Sequence, residues 1–272
     1  MATESFASVA AGAALEAGRL LKRSLDRPLD VRTKTSERDL VTKLDREIEL
    51  FIRGYLHARF PNHKFFGEET GTAGGAGTIP AEELESAEYV WIVDPIDGTT
   101  NVVHGFPFFA VSVALARRGE VVVGVVYDPV RDELFAAEKG KGARLGGRRL
   151  SVSNESSLSE SLLASGFPHD PRALGWSAAA IGRLAPHVRN IRTGGSAALH
   201  LAYVAAGRLT GFFEPGLNPW DVAAGIALVR EAGGRATALD GTPYRLTTRG
   251  VLATNGNVHA DLECVFRSLE PP

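Results

Sequence analysis

The chain has 272 residues, enough for one large domain or two small ones with a real core. Its formal net charge is −2 and its sequence pI about 6.4, so no global basic field is present to attract nucleic acid. A single cysteine, Cys264, excludes an intramolecular disulfide and any CxxC metal site. It falls among the apolar residues of the last helical pattern and reads as a small core hydrophobe. No apolar run reaches 18 residues, and no basic segment leads into an apolar one at the N-terminus, so the expectation is a cytoplasmic protein without a membrane partner.

In chain order, residues 3–25 carry a helical stripe of Phe6, Val9, Ala13, Ala17, Leu20 and Leu21, ended by Pro28. Arg32 to Thr42, with Lys34 inside it, is polar and extended. Leu44 to Phe60 is a second helix whose apolar face is Ile48, Phe51, Ile52, Tyr55 and Leu56, stopped by Pro61. Lys64-Phe65-Phe66 is a short strand ending in Gly67-Glu68-Glu69-Thr70. Gly71 to Glu88, glycine-rich and then acidic, reads as a mobile surface loop of lid type. Tyr89 to Val93 is a buried strand. Phe108 to Ala116, Val121 to Tyr127 and Glu133 to Glu138 form an antiparallel meander with turns at Arg118-Gly119 and Asp128-Pro129. Gly140 to Ser153 is the expected seam, giving an α+β half over 1–150 and an α/β half over 151–272. The second half alternates: strand Leu162–Ser165, helix Arg172–Leu184, strand Val188–Arg192, helix Ser196–Ala206, strand Leu209–Glu214. Helix Pro219–Ala232, strands Arg235–Ala238 and Val251–Ala253, and helix Ala260–Leu269 complete it.

The most informative run is Trp91-Ile92-Val93-Asp94-Pro95-Ile96-Asp97-Gly98-Thr99-Thr100-Asn101. A β-branched strand ends in two carboxylates, followed at once by a glycine and two hydroxyls. In α/β sheets ligand crevices open at the carboxyl ends of strands. Two acids held this close repel each other unless a cation lies between them. Two more acids occupy comparable places: Glu68 after Phe65-Phe66, and Asp221 in Asn218-Pro219-Trp220-Asp221. Alone, Asp221 is an ordinary first-turn acid that stabilises the helix dipole, and Glu68 an ordinary loop acid. As a set, hard oxygen ligands without His or Cys pairs suit Mg²⁺ or Mn²⁺, and magnesium held by a few carboxylates usually serves phosphate chemistry. Gly194-Gly195-Ser196 opens a helix whose N–H groups suit a phosphate or hydroxyl, and equally suits a tight turn. His104 reads as a packed or capping residue and His200 as structural. Signatures of serine hydrolases, P-loop enzymes and dinucleotide binders are absent.

Gly67-Glu68-Glu69, Trp91 to Asn101 with Val103-His104-Gly105-Phe106-Pro107, and Trp220 to Gly225 together resemble the inositol monophosphatase family, in order and over nearly the whole chain. The resemblance implies a layered αβαβα sandwich, usually a homodimer. It also implies Mg²⁺-dependent hydrolysis of phosphate monoesters, often with lithium inhibition. Carried onto this sequence, Glu68, Asp94 and the carbonyl of Ile96 hold one magnesium, and Asp94, Asp97 and Asp221 a second, with a weaker third near Glu68. Thr99 paired with Asp45 orients the attacking water, and the N–H groups of Gly98 and Thr99 bind phosphate. Gly195, Ser196, Ala197 and Glu214 match positions that contact sugar hydroxyls, and Asp221 also borders the substrate. The chain departs from the family pattern at Val102, where an aromatic is usual, at Thr210, where an acid is common, and in the long loop before Tyr89. The rival substrates on the same fold are histidinol phosphate, fructose 1,6-bisphosphate and adenosine 3′,5′-bisphosphate. A non-catalytic interaction protein of the same fold would have eroded ligands, and all the matched acids are present.

Overall fold

The computed structural model describes residues 4–25, 30–33, 40–70 and 77–269. The expected helix stop at Pro28, the Lys34 segment and the first glycines of the 71–88 loop lie outside the described residues. Helix α1 (Phe6–Ser24) starts at Ser5, whose hydroxyl accepts from the Ser8 N–H, and buries Ala10, Ala13, Ala14 and Ala17. These small side chains bring its backbone close to the sheet beneath. Strands β1 (Val31–Thr33) and β2 (Leu40–Thr42) form an antiparallel pair. Helix α2 (Lys43–His57) begins in a capping box: Asp45 accepts from the Thr42 N–H at 2.8 Å while the Thr42 hydroxyl accepts from Leu44.

Strands β3 (Lys64–Gly67) and β4 (Val90–Asp97) pair in parallel, and every residue of β4 is buried. After the short helix α3 (Thr99–Val103) come β5 (Ala110–Arg117), β6 (Glu120–Asp128) and β7 (Glu133–Glu138). The β5–β6 hairpin turns on Arg118 and Gly119, both at positive φ (48° and 80°), which suits the right-handed twist of the strands. Between Gly140 and Ser153 the chain forms β8 (Gly142–Leu145) and β9 (Arg148–Arg149), completing a seven-stranded sheet in the order β3-β4-β5-β6-β7-β8-β9.

The rest of the chain supplies β10 (Leu162–Ser165), α4 (Pro171–Leu184), β11 (Asn190–Arg192), α5 (Ala197–Ala205) and β12 (Gly211–Pro215). It closes with α6 (Pro219–Glu231), β13 (Arg235–Thr237), β14 (Gly250–Thr254) and α7 (His259–Phe266). The second sheet has five strands in the order β11-β10-β12-β14-β13.

Three apolar clusters define the layers. Val9, Ile48 and Ile52 of α1 and α2 pack on Trp91, Val93 and Val113 of the first sheet. That sheet's other face, with Val90, Ile92 and Ala114, meets Leu199, Leu201, Ala223 and Ile226 of α5 and α6, which also cover Phe212 and Ala253 of the second sheet. The far face of the second sheet, with Leu163, Phe213 and Leu252, packs on Trp176 and Leu262 of α4 and α7. The result is the expected αβαβα sandwich, each apolar face covered by the next layer.

Two sequence expectations are corrected. Cys264 is exposed rather than buried, because Leu262 and Phe266 take the inward positions of α7. The described part of the 71–88 loop is anchored rather than free. Ile79 and Leu84 are buried, Ile79 donates its N–H to the Phe65 carbonyl at 3.2 Å, and Phe65 donates to the Gly77 carbonyl at 2.9 Å. Two apolar residues in an otherwise glycine-rich and acidic stretch are enough to pin it to the edge of β3. Among the described residues, no helix is long and apolar enough to cross a membrane.

Candidate active site

The first sheet delivers its acids at the carboxyl ends of two parallel strands. In a regular strand, residues three apart point to opposite faces. Asp94 and Asp97 escape this because the β4–β5 register slips between them: Asp94 pairs with Ser112, and Asp97 with Ala110. The bulge holds Pro95, which has no N–H to donate to a ladder, and re-aims the strand. Asp94 then accepts from the Ile96 N–H at 2.9 Å, closing the bulge on itself.

Asp221 arrives from the second half, in the first turn of α6, where its carboxylate accepts from the Asn218 N–H at 2.6 Å. Oxygens of Asp94, Asp97 and Asp221 all lie within 4.8 Å of one another. Glu68, half-buried in the loop after β3, is within hydrogen-bond reach of Asp94. Its N–H donates to the Val93 carbonyl at 3.2 Å, tying the β3 loop to β4.

Burial and mutual repulsion raise these carboxylates together. Burial holds Asp94 well above the usual carboxylate range, and the charges of Glu68, Asp97 and Asp221 push it further. Asp221 is raised by burial and then by Glu68 and Asp97. Burial lifts Asp97 to about 7, even though bonds from Ser196 and Ala198 favour its charged form. Glu214, buried at the end of β12, is raised by burial and by the charges of Asp221 and Asp97. An oxygen-only donor set in which the acids raise one another is chemically suited to a hard divalent cation.

The acids of this cluster and their neighbours are held by hydrogen bonds. Asp97 accepts from the Ser196 hydroxyl at 2.5 Å and from the Ala198 N–H at 2.7 Å, so it sits on the N-terminus of α5. Ser196 in turn accepts from the Leu199 N–H at 3.3 Å. Gly195, at φ 83°, makes the turn into that helix. The first N–H groups of α5, expected to face a ligand, are thus partly spent on Asp97. Asp45 is fully buried and accepts from the Thr99 hydroxyl at 2.8 Å, and that hydroxyl is also 3.1 Å from the Ile96 carbonyl. Gly98, at φ 106°, lies where a Cβ would press on Phe108 and Gly195 backbone oxygens. Ala197 is buried beside Ser196.

Several site-shaping residues escaped sequence reasoning. Asn101 donates to the carbonyls of both Phe108 and Gly194, at 2.6 and 2.8 Å, stapling the β4 loop to the loop before α5. Ser112 donates to the Trp220 carbonyl at 3.1 Å and fixes the start of α6. Glu49, buried on α2, accepts from the Glu69 N–H at 2.8 Å. Asn101 stands in the Trp91–Asn101 run without its partners being legible there, and Glu49 flanks the apolar arc of Leu44, Ile48 and Ile52 on α2. His200 is structural, accepting from the Gly194 N–H at 3.1 Å while burial lowers it to about 4. His104 ends α3, its N–H on the Thr100 and Val102 carbonyls. Thr210 stands at the opposite end of β12 from Glu214 and accepts from the Leu162 N–H, so the missing acid there lies away from the cluster. Val102 is buried in the α1–α2 core.

Residues 2–269 match the Inositol monophosphatase family. The chain is 43% identical over 258 residues to inositol monophosphatase 2 of Solanum lycopersicum, covering 94% of this chain and 95% of that protein. It is 41% identical to the Nus factor SuhB of Pseudomonas aeruginosa, covering 97% of each. The crystal structure of the extragenic suppressor protein suhB from Bartonella henselae superimposes with a TM-score of 0.87 at 40% identity, over 96% of this chain and 97% of that one. Inositol monophosphate-bound SaIMPase-II gives 0.76 at 30% identity, over 94% and 91%. The chain belongs to the inositol monophosphatase family, and so to a family of metal-dependent phosphatases.

Proposed function

We propose that this protein is a Mg²⁺-dependent phosphate monoester hydrolase acting on inositol 1-phosphate or a closely similar polyol monoester. The observation that carries this reading is the convergence of Asp94, Asp97 and Asp221 within 4.8 Å, with Glu68 at hydrogen-bond reach. In this reading residues 1–150 bring Glu68, Asp94, the Ile96 carbonyl and Asp97, and residues 151–272 bring Asp221. Glu68, Asp94 and the Ile96 carbonyl would hold one ion, and Asp94, Asp97 and Asp221 would hold a second; a weaker third near Glu68 and replacement by Mn²⁺ would suit the same donors. Bound magnesium would neutralise the phosphate and the departing oxygen and favour ionisation of the attacking water.

The chain's own residues do the positioning. The Thr99 hydroxyl donates to Asp45, which leaves its lone pairs free to accept from a water and aim it. Attack by water forms one P–O bond and breaks the P–O bond to the alcohol oxygen; overall one water proton ends on the departing alcohol and the other stays with the phosphate product. Among the described residues Asp45 accepts from Thr42 and Thr99, and its role in this reading is to orient the water through Thr99. The N–H groups of Gly98 and Thr99 face phosphate oxygens. Gly195, Ser196, Ala197 and the Glu214 carboxylate border the leaving group and receive its hydroxyls.

Inositol monophosphate-bound SaIMPase-II supports a polyol monoester, and the related 2'AMP-bound structure supports some breadth in the leaving group. A homodimer and inhibition by millimolar Li⁺ belong to this reading through the family. A second role beside hydrolysis draws support from the relative named Nus factor SuhB; the intact acid set favours catalysis alongside it. Phosphate release should be measured with Mg²⁺ on inositol 1-phosphate, histidinol phosphate, fructose 1,6-bisphosphate and adenosine 3′,5′-bisphosphate. The reading expects inositol 1-phosphate to have the highest kcat/KM, and a clear preference for another substrate would reassign it.

A further inference from the structure

Glu49 is a fully buried acid outside the cluster, one helical turn after Asp45 on the same face of α2. Its Oε2 accepts from the Glu69 N–H at 2.8 Å; burial raises it above the usual carboxylate range, while the Thr70 hydroxyl and N–H also favour its charged form. Burying a carboxylate is costly, and an apolar side chain would fill the same space without that cost. The packing on the other side is equally particular. A Cβ on Gly67 would lie 2.3 Å from Glu49 Oε2 and 2.5 Å from its carboxyl carbon, so a glycine lets the loop rest on the carboxylate.

The consequence falls on Glu68. Its own N–H is tied to Val93 on β4, and the next N–H along the chain is tied to Glu49 on α2. The Glu69 carboxylate also lies 3.8 Å from Arg46 of the same helix. Glu68 is thereby bracketed between two fixed peptide groups, while its side chain reaches Asp94. Asp45 does the parallel task one turn earlier by holding Thr99 of the β4 loop. We propose that Glu49 is a positioning residue for Glu68: it holds the peptide after Glu68 so that this carboxylate meets Asp94 in the geometry a shared cation needs. This rests on the reading of Glu68 as a metal ligand.

Outer-shell partners of metal ligands typically change metal affinity about 10- to 100-fold when removed. Mn²⁺ binding should be measured calorimetrically on the full chain for wild type, Glu49→Leu, Glu49→Gln, Gly67→Ala and Glu68→Gln, with circular dichroism to confirm folding. Steady-state kinetics should be measured in parallel against Mg²⁺. Glu49→Leu fills the space but offers no acceptor. It should weaken Mn²⁺ binding and raise the half-activating Mg²⁺ concentration by about 10- to 100-fold, with kcat recovering at saturating Mg²⁺. Glu49→Gln keeps an amide oxygen for the Glu69 N–H and should stay close to wild type, which a charge-based role would not permit. Gly67→Ala pushes on the carboxylate from the loop side and should weaken Mn²⁺ binding even if Glu49→Leu does not fold. If Glu68→Gln weakens binding while Glu49→Leu or Gly67→Ala binds as wild type does, the proposal is overturned and the ligand reading stands. If Glu68→Gln binds Mn²⁺ as wild type does, Glu68 is not a ligand and both fall.

Discussion

Glu214 has the clearest division of labour at the scale of single residues. Its carboxylate is buried beside Gly166, where a Cβ would lie 2.0 Å from Oε2, and its nearest charges are Asp221 and Asp97. A carboxylate accepting sugar hydroxyls should contribute about 1.5–3 kcal/mol to binding. Glu214→Gln should therefore raise KM for an inositol phosphate and leave a small generic phosphoester nearly unchanged. Equal losses on both substrates would put Glu214 in the catalytic machinery or the fold. The acids also make a stability prediction. Asp97 is raised to about 7 in the folded protein against roughly 3.9 in an unfolded chain. Between those values the folded state holds a proton that the unfolded state has lost, so stability falls as pH rises through the window. The buried histidines His200 and His259, both lowered to about 4, act in the opposite sense but only below roughly pH 6.5. In EDTA the Tm should rise as pH is lowered from 8 to 6.5, and added Mg²⁺ should stabilise most at pH 8. A Tm in EDTA that falls over the same step would mean the cluster ionises like ordinary surface acids.

At the scale of elements, the start of α6 decides between two accounts of Asp221. As a first-turn acid alone it stabilises the helix by ~0.3–1 kcal/mol, and Asp221→Ala would leave metal dependence untouched. As a ligand, its loss should raise the Mg²⁺ requirement steeply and lower turnover, which a titration of activity against Mg²⁺ distinguishes. The helix can come close to its neighbours because a glycine stands at each of two tight contacts: a Cβ on Gly225 would lie 2.4 Å from Leu201 of α5, and one on Gly124 of β6 2.4 Å from the Ala224 carbonyl. Gly225→Ala should cost about 1–3 kcal/mol by overpacking, read as a lower urea midpoint. An unchanged midpoint would mean α5 and α6 can separate freely.

Across the whole molecule, periodicity found the amphipathic helices α1, α2 and α4, and apolar runs found β5 and β6, which are buried on both faces; β8 and β9, in the stretch read as a seam, were not found. Periodicity was not enough to show how the layers meet. Asp94 and Asp97 were legible as a pair because a β-branched run stops at them, but the bulge that turns both toward one place is a matter of pairing with β5. Asp97 as the acid on the α5 N-terminus, and Asn101 holding Gly194, join residues about a hundred positions apart, and local pattern carries no trace of such bonds. The loop before Tyr89 looked free because its composition is polar; Ile79 and Leu84 anchor it through tertiary burial. Cys264 shows the converse, an apolar neighbourhood in sequence with an outward-facing position in α7.

All of these contacts serve one claim, that the acids at the β4 terminus form a shared divalent-metal centre for phosphate ester hydrolysis. Asp94 is within hydrogen-bond reach of Glu68 and has an oxygen within 4.8 Å of oxygens of Asp97 and Asp221. The most direct test is Asp94→Asn, a change of charge with little change of shape, assayed for inositol 1-phosphate hydrolysis across a full Mg²⁺ titration with a thermal melt to confirm folding. The expected result is a folded protein with nearly all turnover lost at every Mg²⁺ concentration. Near wild-type turnover at saturating Mg²⁺ would contradict the shared-metal centre.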